Sequence, residues 1–377
     1  MIAAGGTGGH VYPALAIAEA LLAHRPDVRL TFVGGTDDFA RPLVDAAHLP
    51  FEHIDQVRSG PLHGVPLTRQ IVSVVQLALG TLQAIRLIRQ RKPSALLLTG
   101  GWVGLPAALA ARMLGLPRLM YLPDIEPGLT IKVLRPLVNR VAVTAAESAP
   151  FFEANKMIVT GYPIRQRMLE QAQKDGRAEG MKFFGLDPSR RTLLVWGGSR
   201  GARTINTALM SMLPDLLTLP IQVIHVTGTL DWEVLVEHKM MLERQYPDRM
   251  MHYHAYPYLH DEMGLAFACA DLEVCRSGAS VLGEVPLFKL PAVLVPYPFA
   301  WRYQKVNADY LAGHGAAILM PDETMDTHLL STIRELLLEH PEKLEAMRSA
   351  AGAITQEADE GAWNVAQELV RLSGERA

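Results

Sequence analysis

Short runs of β-branched and aliphatic residues alternate with longer segments of helical period along this chain, and the alternation occurs twice. The first series is Val28–Val33, Ala95–Thr99, Leu119–Leu122, Val141–Thr144 and Met157–Thr160. After a gap come Thr192–Trp196, Gln222–Val226, Leu272–Cys275, Ala292–Val295 and Ala316–Leu319. Strands that are apolar throughout, separated by helices, are parallel strands covered on both faces. Two such series predict an α/β chain of two doubly wound, Rossmann-like domains, which a length of 377 residues accommodates. The polar stretch Gln166–Arg191, with Lys174-Asp175-Gly176-Arg177 and Gly180, predicts a linker between them. At the other end, Asp359–Arg376 predicts an amphipathic helix through Trp363, Val365, Ala366, Leu369, Val370 and Leu372.

Composition excludes several classes. Lys+Arg number 36 against 39 Asp+Glu, for a net charge of −3, so no nucleic-acid partner is expected. Two cysteines, Cys269 and Cys275, cannot build a disulfide framework or a four-thiolate metal site, and a reducing cytoplasm fits them. The N-terminus has neither a basic region nor an apolar one, so a secretory signal is not expected. Pro93–Ala111 is uncharged and long enough to span a bilayer, but Gly100, Gly101, Gly104 and Pro106 break it into strand, turn and helix start. Gln70–Ile85 is shorter and carries Gln76 and Gln83, so no transmembrane segment is expected. Only Met1–Ala4 precede the first glycine turn, where a central strand is normally built; the expectation is that the native start lies upstream.

Glycine-rich turns mark the chemistry. Gly5-Gly6-Thr7-Gly8-Gly9-His10 precedes a helix with Pro13 in its first turns. Closely spaced glycines let the backbone approach a ligand, and a helix N-terminus favours an anion such as a diphosphate. The plain alternative is a tight strand-to-helix turn with no ligand. His10 adds a group with an unperturbed pKa of about 6.5, suited to a general base or merely to a solvated helix start. Gly197-Gly198-Ser199-Arg200-Gly201-Ala202-Arg203 opens a helix in the second half. There Ser199 and loop amides can hold phosphate oxygens, with Arg200 or Arg203 as counter-charge. One such turn per domain predicts a ligand cleft between domains. Thr99-Gly100-Gly101-Trp102-Val103-Gly104 is a third turn. After Cys275, the segment Arg276–Glu284 offers a serine at a helix cap and Glu284 one to two turns in. Its carboxylate can accept both hydroxyls of a ribose or simply pair with a surface lysine. No Asp-x-Asp pair or His/Cys ligand set occurs, so chemistry without a protein-bound metal or cofactor is expected.

Taken together, Gly5–His10, Gly161-Tyr162-Pro163-Ile164-Arg165, Gly197–Ala202, Cys275–Glu284 and Gln304 with Asn307 resemble the MurG family of UDP-N-acetylglucosamine transferases, in order, to about residue 320. The resemblance implies a GT-B fold, with two Rossmann-like domains facing across a cleft. Residues 1–163 would be the acceptor- and membrane-facing domain, 164–355 the UDP-sugar domain, and 356–377 a helix returning to the first. It implies transfer of GlcNAc, with inversion, from UDP-GlcNAc to the muramyl C4 hydroxyl of lipid I, giving lipid II on the cytoplasmic face of the cell membrane. Carried over residue by residue, Thr7, Gly8 and Gly9 match the loop near the donor diphosphate, and Arg165 and Ser199 match phosphate contacts. Ala279, Ser280, Val281, Leu282, Gly283 and Glu284 match the uridine and ribose segment, with Glu284 on the ribose. Gln304, beside Asn307, matches a GlcNAc contact, His260 a backbone contact to uracil, and Asp124 a donor contact. His10 is the candidate base.

The chain also departs from the family pattern. Tyr121-Leu122-Pro123-Asp124 lacks the usual His-Glu pair, Tyr303 replaces a glutamine, Arg200 another, and Pro286 is expected to interrupt a helix. These departures leave open a GT-B transferase with another nucleotide sugar or acceptor, and a sugar-nucleotide-binding relative without catalysis. A nucleotide-linked reductase fits least, because neither glycine turn has dinucleotide spacing. Val65–Lys92 carries Leu67, Ile71, Val74, Val75, Leu82 and other apolar residues among Arg69, Arg86, Arg89, Arg91 and Lys92. It reads either as a surface lying on an anionic bilayer or as a core-facing helix with a basic end.

Overall fold

The computed structural model describes residues 1–36, 39–173, 175–198, 200–299, 303–354 and 360–374. The chain divides into two compact units, Met1–Gln166 with Glu357–Ala377, and Arg167–Gln356.

In the first unit seven parallel strands run in the order β3-β2-β1-β4-β5-β6-β7. They are β1 (Ile2–Ala3), β2 (Leu30–Gly35), β3 (Phe51–Val57), β4 (Leu96–Leu98), β5 (Arg118–Leu122), β6 (Arg140–Val143) and β7 (Met157–Val159). Side chains alternate between two cores, which is why the central strands read as unbroken apolar runs. Phe32, Leu97, Leu119 and Tyr121 meet the helix Gly8–His24 and the last helix, Gly361–Leu372, on one face. Val33, Leu98, Met120 and Val143 meet Leu67–Arg91 and Gly104–Met113 on the other. The last helix buries Val365, Ala366 and Leu369, stacks Trp363 on His24 at 3.8 Å, and donates from Asn364 to the Thr160 carbonyl.

The second unit has six parallel strands in the order β10-β9-β8-β11-β12-β13. They are β8 (Arg191–Trp196), β9 (Ile221–Val226), β10 (Tyr253–Tyr256), β11 (Leu272–Cys275), β12 (Ala292–Leu294) and β13 (Ala317–Leu319). One core joins Leu193, Val195, Leu272 and Val274 to the helices Arg203–Leu216 and Met325–Arg334.

Three elements differ from the sequence expectation. Gln166–Arg191 is no linker: it forms the helices Gln166–Gln173 and Gly176–Phe184. Gly180 is a packing residue there, since a Cβ would lie 2.6 Å from the Leu265 carbonyl oxygen. The edge strands β3 and β10 were not anticipated, because Glu52, His53, Asp55 and Gln56 in β3 and His254 in β10 interrupt any apolar run. Pro286 does not interrupt its helix, Val281–Phe288; it falls in the last turn, before Lys289 in the left-handed conformation ends it.

Candidate functional site

Each sheet changes winding direction once. In the first unit the chain leaves β1 for β2 on one side and returns to β4 on the other; in the second, β8 and β11 flank the same kind of point. Ligands of open parallel sheets bind at the carboxyl ends of the strands at such points. Four of the segments singled out from sequence occupy these ends: residues 5–10 after β1, 99–104 after β4, 197–203 after β8 and 276–284 after β11.

The turn after β1 is held open by glycine geometry. Gly6, Gly100 and Gly101 have φ of 86°, 121° and 80°, and any Cβ on Gly101 would collide with the Gly5 carbonyl oxygen. Thr7 precedes the helix Gly8–His24 in extended conformation without capping it through its side chain, and Thr7 and Gly9 are exposed. The first amides of that helix have no acceptor within it. His10, half-buried, has Nδ1 at 3.2 Å from both the Gly5 carbonyl oxygen and the Thr7 hydroxyl. A carbonyl only accepts, so Nδ1 carries the proton and Nε2 keeps its lone pair. Burial lowers the His10 pKa below its usual value, opposed by the charge of Asp124 and by the Gly5 carbonyl. A neutral imidazole results, able to take a proton.

Asp124, half-buried, follows β5, where Tyr121 and Leu122 are wholly inside the unit. The Tyr121 hydroxyl pairs with Thr144 at 2.7 Å. The side chains at 121 and 122 are therefore inaccessible from the surface of the unit. Arg165 lies 5.0 Å over the ring of Tyr12, a residue of the helix Gly8–His24.

In the second unit Gly198, Gly201 and Gly228 have φ of 83°, 81° and 79°. A Cβ on Gly201 would collide with the Thr227 carbonyl, so the 197–202 turn packs directly on the turn after β9. The helix Arg203–Leu216 starts at Ala202 with no side-chain cap. Arg203 is tied to Asp231 at 3.0 Å, and Arg200 is exposed; Ser199 lies outside the described residues.

After β11, Ser280 stands at the N-cap of Val281–Phe288 without capping through its hydroxyl. Ala279, Ser280 and Glu284 are partly accessible, whereas Val281, Leu282 and Gly283 are buried. Contact from those three would come from backbone alone. Gln304 accepts from the Tyr297 amide at 2.8 Å, and the Ser277 hydroxyl donates to its carbonyl. Asn307 is fully buried and donates to the Ser277 carbonyl at 3.2 Å, so it braces the 275–280 segment. His260 is exposed, and its backbone N–H donates to the Glu262 carboxylate at 3.2 Å.

Several supporting groups escaped the sequence reading. Arg276 reaches the Asp322 carboxylate, the Thr204 hydroxyl and the Val295 carbonyl, locking the β11 turn to the start of Arg203–Leu216. His225 links Tyr253 at 2.7 Å to Asn206 at 2.9 Å, and Asn206 donates to the Thr227 carbonyl behind Gly201. Burial holds His225 neutral, with its pKa lowered to about 3. Glu273, the one acid within β11, is wholly buried. Lone polar residues inside apolar strands were the only signal for His225 and Glu273.

Two doubly wound units, each with a glycine turn and an uncapped helix start at its switch point, define the GT-B class of glycosyltransferase architecture. The profile described as glycosyltransferase family 28 N-terminal domain matches residues 1–143, and that of the family 28 C-terminal domain matches 192–364. The chain belongs to glycosyltransferase family 28, and within it to the MurG family. A relative from Roseiflexus sp., named UDP-N-acetylglucosamine--N-acetylmuramyl-(pentapeptide) pyrophosphoryl-undecaprenol N-acetylglucosamine transferase, is 37% identical over 93% of this chain and 90% of its own. One of the same name from Desulfitobacterium hafniense is 36% identical over 94% and 95%. Among solved structures, Acinetobacter baumannii MurG superposes with a TM-score of 0.72 at 25% identity, covering 98% of each chain. A UDP-GlcNAc 2-epimerase from Neisseria meningitidis, bound to UDP-GlcNAc, shares the fold with a TM-score of 0.66 at 11% identity, covering 98% of this chain and 99% of its own.

Proposed function

We propose that this chain transfers GlcNAc from UDP-GlcNAc to the muramyl C4 hydroxyl of undecaprenyl-diphospho-MurNAc-pentapeptide, converting lipid I to lipid II with inversion at the anomeric carbon. The observation that carries this is the 37% identity, over 93% of the chain, to a transferase of that name. The enzyme is a UDP-GlcNAc-dependent N-acetylglucosaminyltransferase of peptidoglycan synthesis.

In this reading the C4 hydroxyl attacks the anomeric carbon as the bond to UDP breaks. His10 Nε2 takes the hydroxyl proton, and UDP leaves carrying the bonding electrons. A well-placed base contributes ~10²–10⁴-fold. Negative charge growing on the diphosphate favours helix N-termini and loop amides, which the 5–9 and 197–202 turns offer, with Arg165 as a cation. Glu284 accepts the ribose hydroxyls, and Ala279–Gly283, His260, Gln304 and Asp124 complete the donor contacts.

The helix Leu67–Arg91 supports docking on the inner face of the membrane. It is long and apolar enough to cross a bilayer, yet Leu77, Gly80, Ala84 and Ile88 pack it onto its own unit. Gly80 lies so close to the Arg58 carbonyl that no side chain fits. Its other face leaves Leu67, Ile71, Val72, Val74, Val75 and Leu82 more than half exposed. Arg69, Arg86, Arg89 and Lys92 are exposed around it, while Arg91 is spent on Asp55 at 3.1 Å. Such a surface lies on an anionic bilayer without spanning it.

The test is transfer of labelled sugar from UDP-GlcNAc, UDP-glucose and UDP-galactose to a lipid I analogue, with mass analysis of the product. Lipid II formed from UDP-GlcNAc alone is expected. Turnover of another donor in preference, or tight UDP binding without transfer, would replace the proposal by a related transferase or a non-catalytic relative.

A further inference from the structure

Glu273 stands where a parallel strand should be apolar. Its neighbours Leu272 and Val274 enter the core beside Arg203–Leu216, so Glu273 and Cys275 point to the opposite face. There the Trp196 indole Nε1–H donates to Glu273 Oε2 at 2.7 Å, and Phe267 covers the indole edge-on at 5.6 Å. Glu273 is 0% exposed, and its Oε1 is buried with no hydrogen-bond partner. The groups acting on it are Trp196 from β8, Cys275 from its own strand and Glu284 from the helix Val281–Phe288. A carboxyl wholly buried in a parallel strand, within electrostatic reach of Glu284 and with one oxygen unsatisfied, calls for a reason.

We propose that Glu273 is a positioning residue for the nucleotide site, acting on Glu284 from beneath. The inference rests on the reading that Glu284 holds the ribose. Two carboxyl groups that feel each other across a low-dielectric core do not both ionise readily. The wholly buried member, Glu273, keeps the proton. Burial, reinforced by the charge of Glu284, pushes the Glu273 pKa up to about 8, while hydrogen bonding from Trp196 and from the Cys275 thiol opposes it. Below that pH, Glu273 is a neutral acid, and no second carboxylate pushes on Glu284 where it meets the ribose hydroxyls. Above it the proton is lost to solvent, and the second carboxylate repels Glu284 from its place. Donor binding then weakens in alkali for a reason that lies outside the chemical step.

The experiment is steady-state kinetics of the full chain with UDP-GlcNAc and a lipid I analogue from pH 6.5 to 9.5, for wild type, E273Q, W196F and E284Q. Wild type is expected to raise its donor KM about tenfold across pH 8, the size of one pKa unit. E273Q, which cannot ionise, loses that rise. W196F removes the hydrogen bond that favours the ionised form and moves the rise to higher pH, so it reads the inference even if E273Q fails to fold. E284Q raises the donor KM at pH 7 if the ribose reading holds. An E284Q enzyme with unchanged KM would overturn that reading. A raised KM in E284Q together with a wild-type alkaline profile in E273Q, or an unmoved midpoint in W196F, would overturn the inference alone.

Discussion

Gly100 has no side chain, and the His10 ring occupies the space where one would project: a Cβ there would lie 2.7 Å from Nε2. Gly100→Ala is therefore expected to displace the imidazole and lower kcat, although residue 100 makes no hydrogen bond to it. His10→Ala should lower kcat by ~10²–10⁴-fold with the donor dissociation constant little changed; a kcat within a few-fold of wild type would remove His10 as the base. Asp124 raises the His10 pKa, so Asp124→Asn should move the acid limb of the kcat profile to lower pH. A limb unmoved by that substitution would mean the two groups do not act on each other. The glycines and His10 were legible because turns and helix starts have strong residue preferences. The burial of Tyr121, Leu122, Val281 and Leu282 was not: spacing does not reveal which side chains of a motif face inward.

At the scale of elements, the apolar strands were legible, the edge strands β7 and β13 among them, and the polar edge strands β3 and β10 were not. A strand covered on both faces must be apolar throughout, as Leu96–Leu98 is, whereas β3, Phe-Glu-His-Ile-Asp-Gln-Val, wets one face and loses the signal. Gly176 and Gly180 looked like chain breakers but serve close helix packing, a distinction only tertiary contacts make. The 197–202 turn yields a sharper expectation. Gly201→Ala adds a side chain at positive φ and onto the Thr227 carbonyl, and should destabilise the second unit by more than ~1 kcal/mol in denaturant titration. For the helix Leu67–Arg91, Leu82→Asp and reversal of Arg86 and Arg89 should each reduce flotation with anionic liposomes while leaving the melting temperature in place. Unchanged flotation would assign that face to another role.

For the whole molecule, two buried groups set opposite pH limits on stability. Glu273 titrates near 8 when folded against a usual 4.5, so between those values the folded state binds the extra proton. Stability falls as pH rises through that window, and Glu273→Gln should flatten it. His225 titrates near 3 against 6.5, so the unfolded state binds more protons there and stability is lost as pH falls below about 6.5. Between 4.5 and 6.5 the two contributions oppose each other, so melting curves should show the His225 slope from about pH 3 to 4.5 and the Glu273 slope from 6.5 to about 8; loss of neither slope on substitution would contradict the assignment. The central claim is that the carboxyl ends of β8 and β11 form the donor site. A crystal structure with UDP bound tests it most directly. The account predicts the diphosphate against the backbone of residues 197–203 and the ribose hydroxyls on Glu284. Nucleotide bound away from both segments would contradict it.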